Sequence, residues 1–176
     1  MLFLAAVPTV KKYTVVERKQ ITNDMAVETL QRLYREEPAA KQQVADSAGY
    51  DVFSNGNVNI IFISGSGGYG VVMNKRTGGK SYMKMVLGGV GLGLGVKDYR
   101  QVLIFHDENT LQNFVDNGWE FGGHADAAAK AVETGGEASS EGGINDDIIV
   151  YSMTEAGLAL QATITGSKYW KDDDLN

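Results

Sequence analysis

Apolar residues recur at three- and four-residue intervals through Ile21, Met25, Leu30, Leu33 and Tyr34, which predicts an amphipathic helix from Ile21 to Glu37. Thr22 and Asn23 are its candidate caps, following a β-branched opening around Tyr13 to Val16. Pro38 suits the first turn of a second helix that reaches Ala48, with Val44, Ala45 and Ala48 facing inward and Gly49 closing it. From Tyr50 the pattern changes to β-branched and aromatic runs broken by glycine and asparagine, with strands expected near 58–63, 69–75, 81–87, 89–96 and 101–105. Asn55-Gly56 and Thr77-Gly78-Gly79 lie between such runs as hairpin signals. A short helix is expected from Thr110 to Asn117, with Leu111, Phe114 and Val115 as its apolar stripe, Asp107 or Asn109 as its cap and Gly118 just past its end. The acidic stretch Gly135 to Gly143 has no periodicity and is expected to be a loop. A last β pair, Ile148 to Met153 and Leu158 to Thr165, turns through Thr154 to Gly157, and the segment Lys168 to Asn176 reads as a solvated end.

At 176 residues the chain suits one domain with a full hydrophobic core. It contains no cysteine, which excludes disulfides, zinc–thiolate sites and thiol nucleophiles. The net charge of −6 argues against nucleic acid as a partner, but it averages two unlike halves. Residues 1–100 carry 13 Lys/Arg against 8 Asp/Glu, and residues 101–176 carry 3 against 14. A basic first half suits anionic lipid headgroups, and equally describes a plain solvated face. No run approaches the ~20 apolar residues of a membrane-spanning helix. Residues 1–20 form a separate N-terminal segment, either a signal-peptide remnant or an edge strand, before a domain over residues 21–176.

Two phosphate-binding motifs are mimicked and then fail. Gly65-Ser-Gly67-Gly-Tyr-Gly70 follows an apolar run as a dinucleotide fingerprint does, yet Val71 to Gly79 reads as another strand and turn rather than the helix that would hold a pyrophosphate. Gly79-Lys80-Ser81 resembles the end of a P-loop, but the glycine required five residues earlier is Asn74. His106 and His124 stand apart without metal-ligand spacing, so no catalytic residue, metal or cofactor is nominated. Gly89, Gly91, Gly93 and Gly95 alternate with Val90, Leu92, Leu94 and Val96, which on a strand leaves one face bare for a helix, a strand or a ligand to approach.

The stretch Gly88 to Gly95, followed by Val102 to Phe105 and Asn109 to Val115, resembles the central block of SYLF domains. The resemblance continues through Gly122 to Ala127 and through Ile149-Val-Tyr-Ser152 with Ala156-Gly-Leu-Ala159. Upstream, Ala48-Gly49, Gly68 to Val71 and Gly78 fall where the family has its first glycine turns, so it covers about residues 25–176. It implies a non-enzymatic domain that binds phospholipid, with actin binding in some eukaryotic members. Lys80 to Met83 and Glu133 to Gly136 replace two usual family motifs, which favours a bacterial stand-alone member.

These readings lead to an α+β domain, a curved antiparallel sheet or partly closed β-barrel covered by a few helices. Its expected function is peripheral contact with anionic phospholipid through Lys11, Lys12, Arg18 and Lys19, helped by Lys75, Arg76, Lys80 and Lys84. The alternative is a protein-interaction module using the acidic 133–147 loop or a sheet edge. The expected location is periplasmic or membrane-peripheral in a bacterium, with the cytoplasm as the alternative.

Overall fold

The computed structural model describes residues 13–55, 67–86, 99–120, 143–145, 148–154, 157–159 and 167–176. The expected strands at 58–63 and 89–96, the bare-faced glycines Gly89, Gly91, Gly93 and Gly95, the acidic loop up to residue 142, His124, and Lys11 and Lys12 all lie outside these residues.

Helix α1 spans Val15–Glu36 and starts earlier than its apolar periodicity indicates. Thr14 is the cap: its hydroxyl accepts the Glu17 N–H at 3.1 Å while the Glu17 carboxylate accepts the Thr14 N–H at 3.4 Å. This reciprocal pair offsets the poor helix propensity of Val15 and Val16, which therefore extend the helix instead of a strand. Thr22, expected as a cap, lies inside and donates its hydroxyl to the Arg18 carbonyl at 2.8 Å. The buried stripe is Thr22, Met25, Ala26, Thr29 and Leu33. Helix α2 (Ala39–Asp46) follows Pro38 and buries Ala40 and Val44, while Ala45 faces solvent.

Helix α3 spans Glu108–Asn117. The Asp107 carboxylate accepts the Thr110 N–H at 2.8 Å and the Thr110 hydroxyl at 2.6 Å. Leu111, Phe114 and Val115 are its buried stripe, as the sequence predicts. At about 2 kcal/mol per buried side chain, that stripe and not helix propensity holds so short a helix in place.

The strands are β1 (Gly49–Ser54), β2 (Gly67–Asn74), β3 (Lys80–Val86), β4 (Arg100–Phe105), β5 (Trp119–Glu120), β6 (Gly143–Asn145), β7 (Ile148–Thr154), β8 (Gly157–Ala159) and β9 (Lys168–Lys171). They form one curved antiparallel sheet in the order β5-β9-β3-β2-β1-β4-β7-β6, with β8 also beside β7. The order runs from one edge to the other without closing, so the open sheet and not the barrel is the form found.

Both faces of the central strands are buried, and neighbouring residues alternate between two cores. Val52, Val71, Val102 and Ile104 pack under α1 and α2; Phe53, Val72, Leu103 and Phe105 pack under α3. On the second face Phe53, Phe105, Phe114, Trp119 and Tyr169 form a cluster with ring centroids 5.0–6.4 Å apart.

Two further departures come from sequence that looks polar. Strand β1 was not expected because Gly49 and Asp51 interrupt its apolar run, yet it is central, between β2 and β4. The segment expected to be a solvated end contains β9, which pairs with β3 and β5 and buries Tyr169.

Candidate functional site

The described part of the glycine motif, Gly67 to Gly70, offers no phosphate cradle. Gly67 to Gly70 belong to β2 and pair with Met83 to Val86 of β3, so this stretch is a strand, as the sequence reading holds. A Cβ at Gly70 would collide with the Phe53 ring and the Val52 carbonyl, so its missing side chain serves packing against β1. Lys80 opens β3 and not a helix. Among the described residues, no group of three metal-ligating side chains comes together and no helix is long and apolar enough to cross a membrane.

The expected basic residues divide into two sets. Lys75 and Arg76 sit in the β2–β3 turn, next to the start of β3 at Lys80. The Lys75 ammonium donates to the Val44 carbonyl at 2.9 Å and to that of Ala45, which completes the C-terminal end of α2. Arg76 donates to Glu108 at 3.0 Å, and Asn74 donates to the same carboxylate oxygen at 2.9 Å. The Arg76 hydrogen bond holds the Glu108 carboxyl below its ordinary range, with the Asn74 bond next in effect. The turn therefore grips α2 on one face of the sheet and α3 on the other. Lys80 is exposed and forms no ion pair with any described residue.

The second set lies where the start of α1 meets β3. Arg18 places Nη2 3.0 Å from Asp172 Oδ2, and Lys84 places Nζ 3.7 Å from Asp172 Oδ1. Asp172 has 3% side-chain exposure, against 25% for Arg18 and 27% for Lys84, so the acid is enclosed while both cations reach the surface. Lys19 lies over the Tyr82 ring, 5.4 Å from its centroid, and Asn23 donates to the Tyr82 hydroxyl at 3.1 Å. By strand alternation Lys80, Tyr82 and Lys84 share the face on which α1 lies. Arg18, Lys19 and Lys84 are thus brought to one region, Lys80 lies on the same face at the far end of β3, and Lys75 and Arg76 are committed to structural partners.

Sequence reasoning missed two residues of this region. Tyr82 carries Lys19 and anchors the segment after β9. Asp172, one of three consecutive aspartates that read as solvated, is the acid on which two cations converge. The signal that would have revealed it is Tyr169-Trp170 between two lysines, a short strand pattern that places Asp172 just past the end of β9.

Beside the cations α1 presents apolar surface. Val15 and Val16 are 46% and 76% exposed, four and three residues before Lys19 and hence on its side of the helix. The start of α1 thus sets outward-facing valines beside a basic side chain.

Two comparisons bear on what this arrangement is for. The family described as Ysc84, Las17-binding protein actin regulator, matches residues 87–176, half of the chain. The chain belongs to this family, the SYLF group. Beta cell expansion factor A of Aeromonas veronii is 37% identical over 164 residues, which are 92% of this chain and 60% of that protein. The chain thus spans about three fifths of the length of this bacterial relative. The family is one of binding domains, and the matched residues include Asp172 but not Arg18, Lys19, Lys80 or Lys84.

Proposed function

We propose that this chain binds anionic phospholipid surfaces peripherally and without catalysis. Its contact surface is the start of α1 with Val15, Val16 and Lys19, together with Arg18, Lys80 and Lys84; Lys11 and Lys12 precede it in sequence. The observation that carries this reading is the placement of the two exposed valines beside Lys19, because apolar area and positive charge then act on one membrane surface. Each basic residue near an anionic bilayer contributes about 1 kcal/mol, so four together give weak, reversible binding. The proposal implies a membrane-peripheral location in a bacterium, the periplasm in the first instance.

The test is co-sedimentation with vesicles of phosphatidylcholine alone and with added phosphatidylglycerol. Binding only to the second is expected. The family's description names a bound protein, so failure to bind either vesicle puts a protein-interaction module in first place.

A further inference from the structure

We propose that Arg18 and Lys84 form a seat for the phosphate of an anionic lipid headgroup, and that Asp172 occupies this seat from within the chain. The proposal rests on the lipid-binding reading and adds to it the ligand group and a latch.

Two cations from distant parts of the sequence, one on α1 and one on β3, converge on a single carboxylate. That carboxylate also accepts the Asp174 N–H at 3.1 Å. The remaining space beside Arg18, Tyr69 and Lys84 is about 20 Å³, room for about one water and not for a phosphate. The carboxylate and an incoming phosphate therefore exclude one another.

The occupant is held by the short segment after β9, whose Asn176 amide and Leu175 N–H also donate to the Asp172 carbonyl, at 2.6 and 3.1 Å. Beyond β9, Asp172 donates its N–H to the Tyr82 carbonyl at 2.9 Å, Asn176 exchanges hydrogen bonds with the Tyr82 backbone at 2.7 and 2.9 Å, and Leu175 is the one apolar side chain the segment buries. Two more acids adjoin it: exposed Asp173, and Asp174, 3.9 Å from Arg18 Nη1. An anionic surface repels all three aspartates while its phosphates attract Arg18 and Lys84, so approach to such a surface both empties the seat and fills it. The N-terminal turns of α1 are able to follow, because the buried stripe begins only at Thr22 and Arg18 is their ion-pair link to the sheet among the described residues.

The experiment compares the full chain with Asp172→Asn, with Asp173→Asn as a control of equal charge change, and with Asp172→Asn carrying Arg18→Gln and Lys84→Gln. All four are titrated with phosphatidylglycerol/phosphatidylcholine vesicles. Asp172→Asn is expected to bind about fivefold more tightly than the parent, as one freed surface cation contributes, and Asp173→Asn less than about twofold. The triple variant should lose the gain. Equal gains from the two single variants, or none, overturn the seat while parent binding leaves the lipid function standing; absence of binding in parent and variants overturns both.

Hydrogen exchange on the parent gives a reading that does not depend on any variant folding. The Asp172 amide should lose protection when phosphatidylglycerol vesicles are added. Protection that survives the vesicles overturns the proposal, and loss caused by inorganic phosphate but not by vesicles overturns the headgroup as the occupant.

Discussion

Asp51 Oδ1 accepts the backbone N–H of Leu103 at 3.3 Å from a fully buried position on β1, and its Oδ2 has no hydrogen-bond partner among the described residues. Around it lies a polar chain inside the α3-side core: Tyr169 donates to Gln101, Gln101 donates to the Tyr99 hydroxyl at 3.1 Å, and Tyr99 shares a hydrogen bond with Ser152 at 3.0 Å. Burial pushes the Asp51 carboxyl well above its ordinary value of 3.8, against a smaller opposing effect of the Leu103 bond. The same desolvation raises Tyr169 well above its usual range, and the Tyr99 and Asp51 charges add to that.

Asp51 therefore makes the fold pH-sensitive in a definite direction. The folded chain holds this proton more tightly than the unfolded one, so the associated stability is complete below about pH 4 and is lost as pH rises through the folded-state value. Asp51→Asn keeps the shape and the acceptor but cannot ionise. Its thermal midpoint should fall less than the parent's between pH 4 and pH 9, and parallel curves for the two proteins would refute the assignment.

Asp107 acts in the opposite sense. Its carboxyl is held below 3.8, first by the Thr110 hydroxyl and then by the Thr110 N–H, so its contribution is present above the ordinary range and is lost on acidification. Asp107→Ala should cost about 1 kcal/mol of stability in urea titrations at neutral pH, as loss of a helix cap does. The cost should fall away as pH drops through the lowered folded-state value of this carboxyl.

Two glycines of the β2–β3 hairpin should respond unequally to a methyl group. At Gly70 an added Cβ meets the Phe53 ring and the Val52 carbonyl, so Gly70→Ala is expected to cost about 3 kcal/mol through overpacking. At Gly78 the space is open and only the φ of +71° opposes a side chain, so Gly78→Ala should cost about 1 kcal/mol. Equal unfolding midpoints in denaturant would contradict this account of β2.

Lys75 and Lys19 separate stability from binding. Lys75→Gln removes the positive charge at the end of α2 and should lower the unfolding free energy by about 1 kcal/mol while leaving vesicle affinity within about twofold of the parent's. Lys19→Gln should do the reverse, weakening vesicle binding about fivefold at little cost in stability. Vesicle titration and urea unfolding of both variants check the pair.

The legible parts of the fold were those in which local pattern and tertiary role agree. Helix α3, the hairpin turn at Thr77 to Gly79 and the turn from β7 into β8 carry their own caps, glycines and apolar stripes. Helix α1 was found but begun too late, because Val15 and Val16 speak for a strand and only the paired Thr14 and Glu17 side chains override them. Strand β1 was hidden because Asp51 looks like a surface residue and is fully buried. The placement of the basic residues in the fold was half legible. Charge counting found Arg18, Lys19, Lys80 and Lys84 along with Lys75 and Arg76, but nothing local says that the last two are spent on helix ends. The convergence of Arg18 and Lys84 on Asp172 joins residues 154 and 88 positions apart, which only the folded sheet brings together.

The most direct test of the central claim is the affinity of the parent chain for phosphatidylglycerol vesicles measured from ~0.05 to ~0.5 M salt. Screening shortens the Debye length from roughly 14 Å to about 4 Å across that range. Peripheral binding through Lys19, Lys80, Arg18 and Lys84 predicts a steep loss of affinity with rising salt and no binding to phosphatidylcholine alone. Affinity that ignores salt, or that is equal for the two vesicle types, would contradict it.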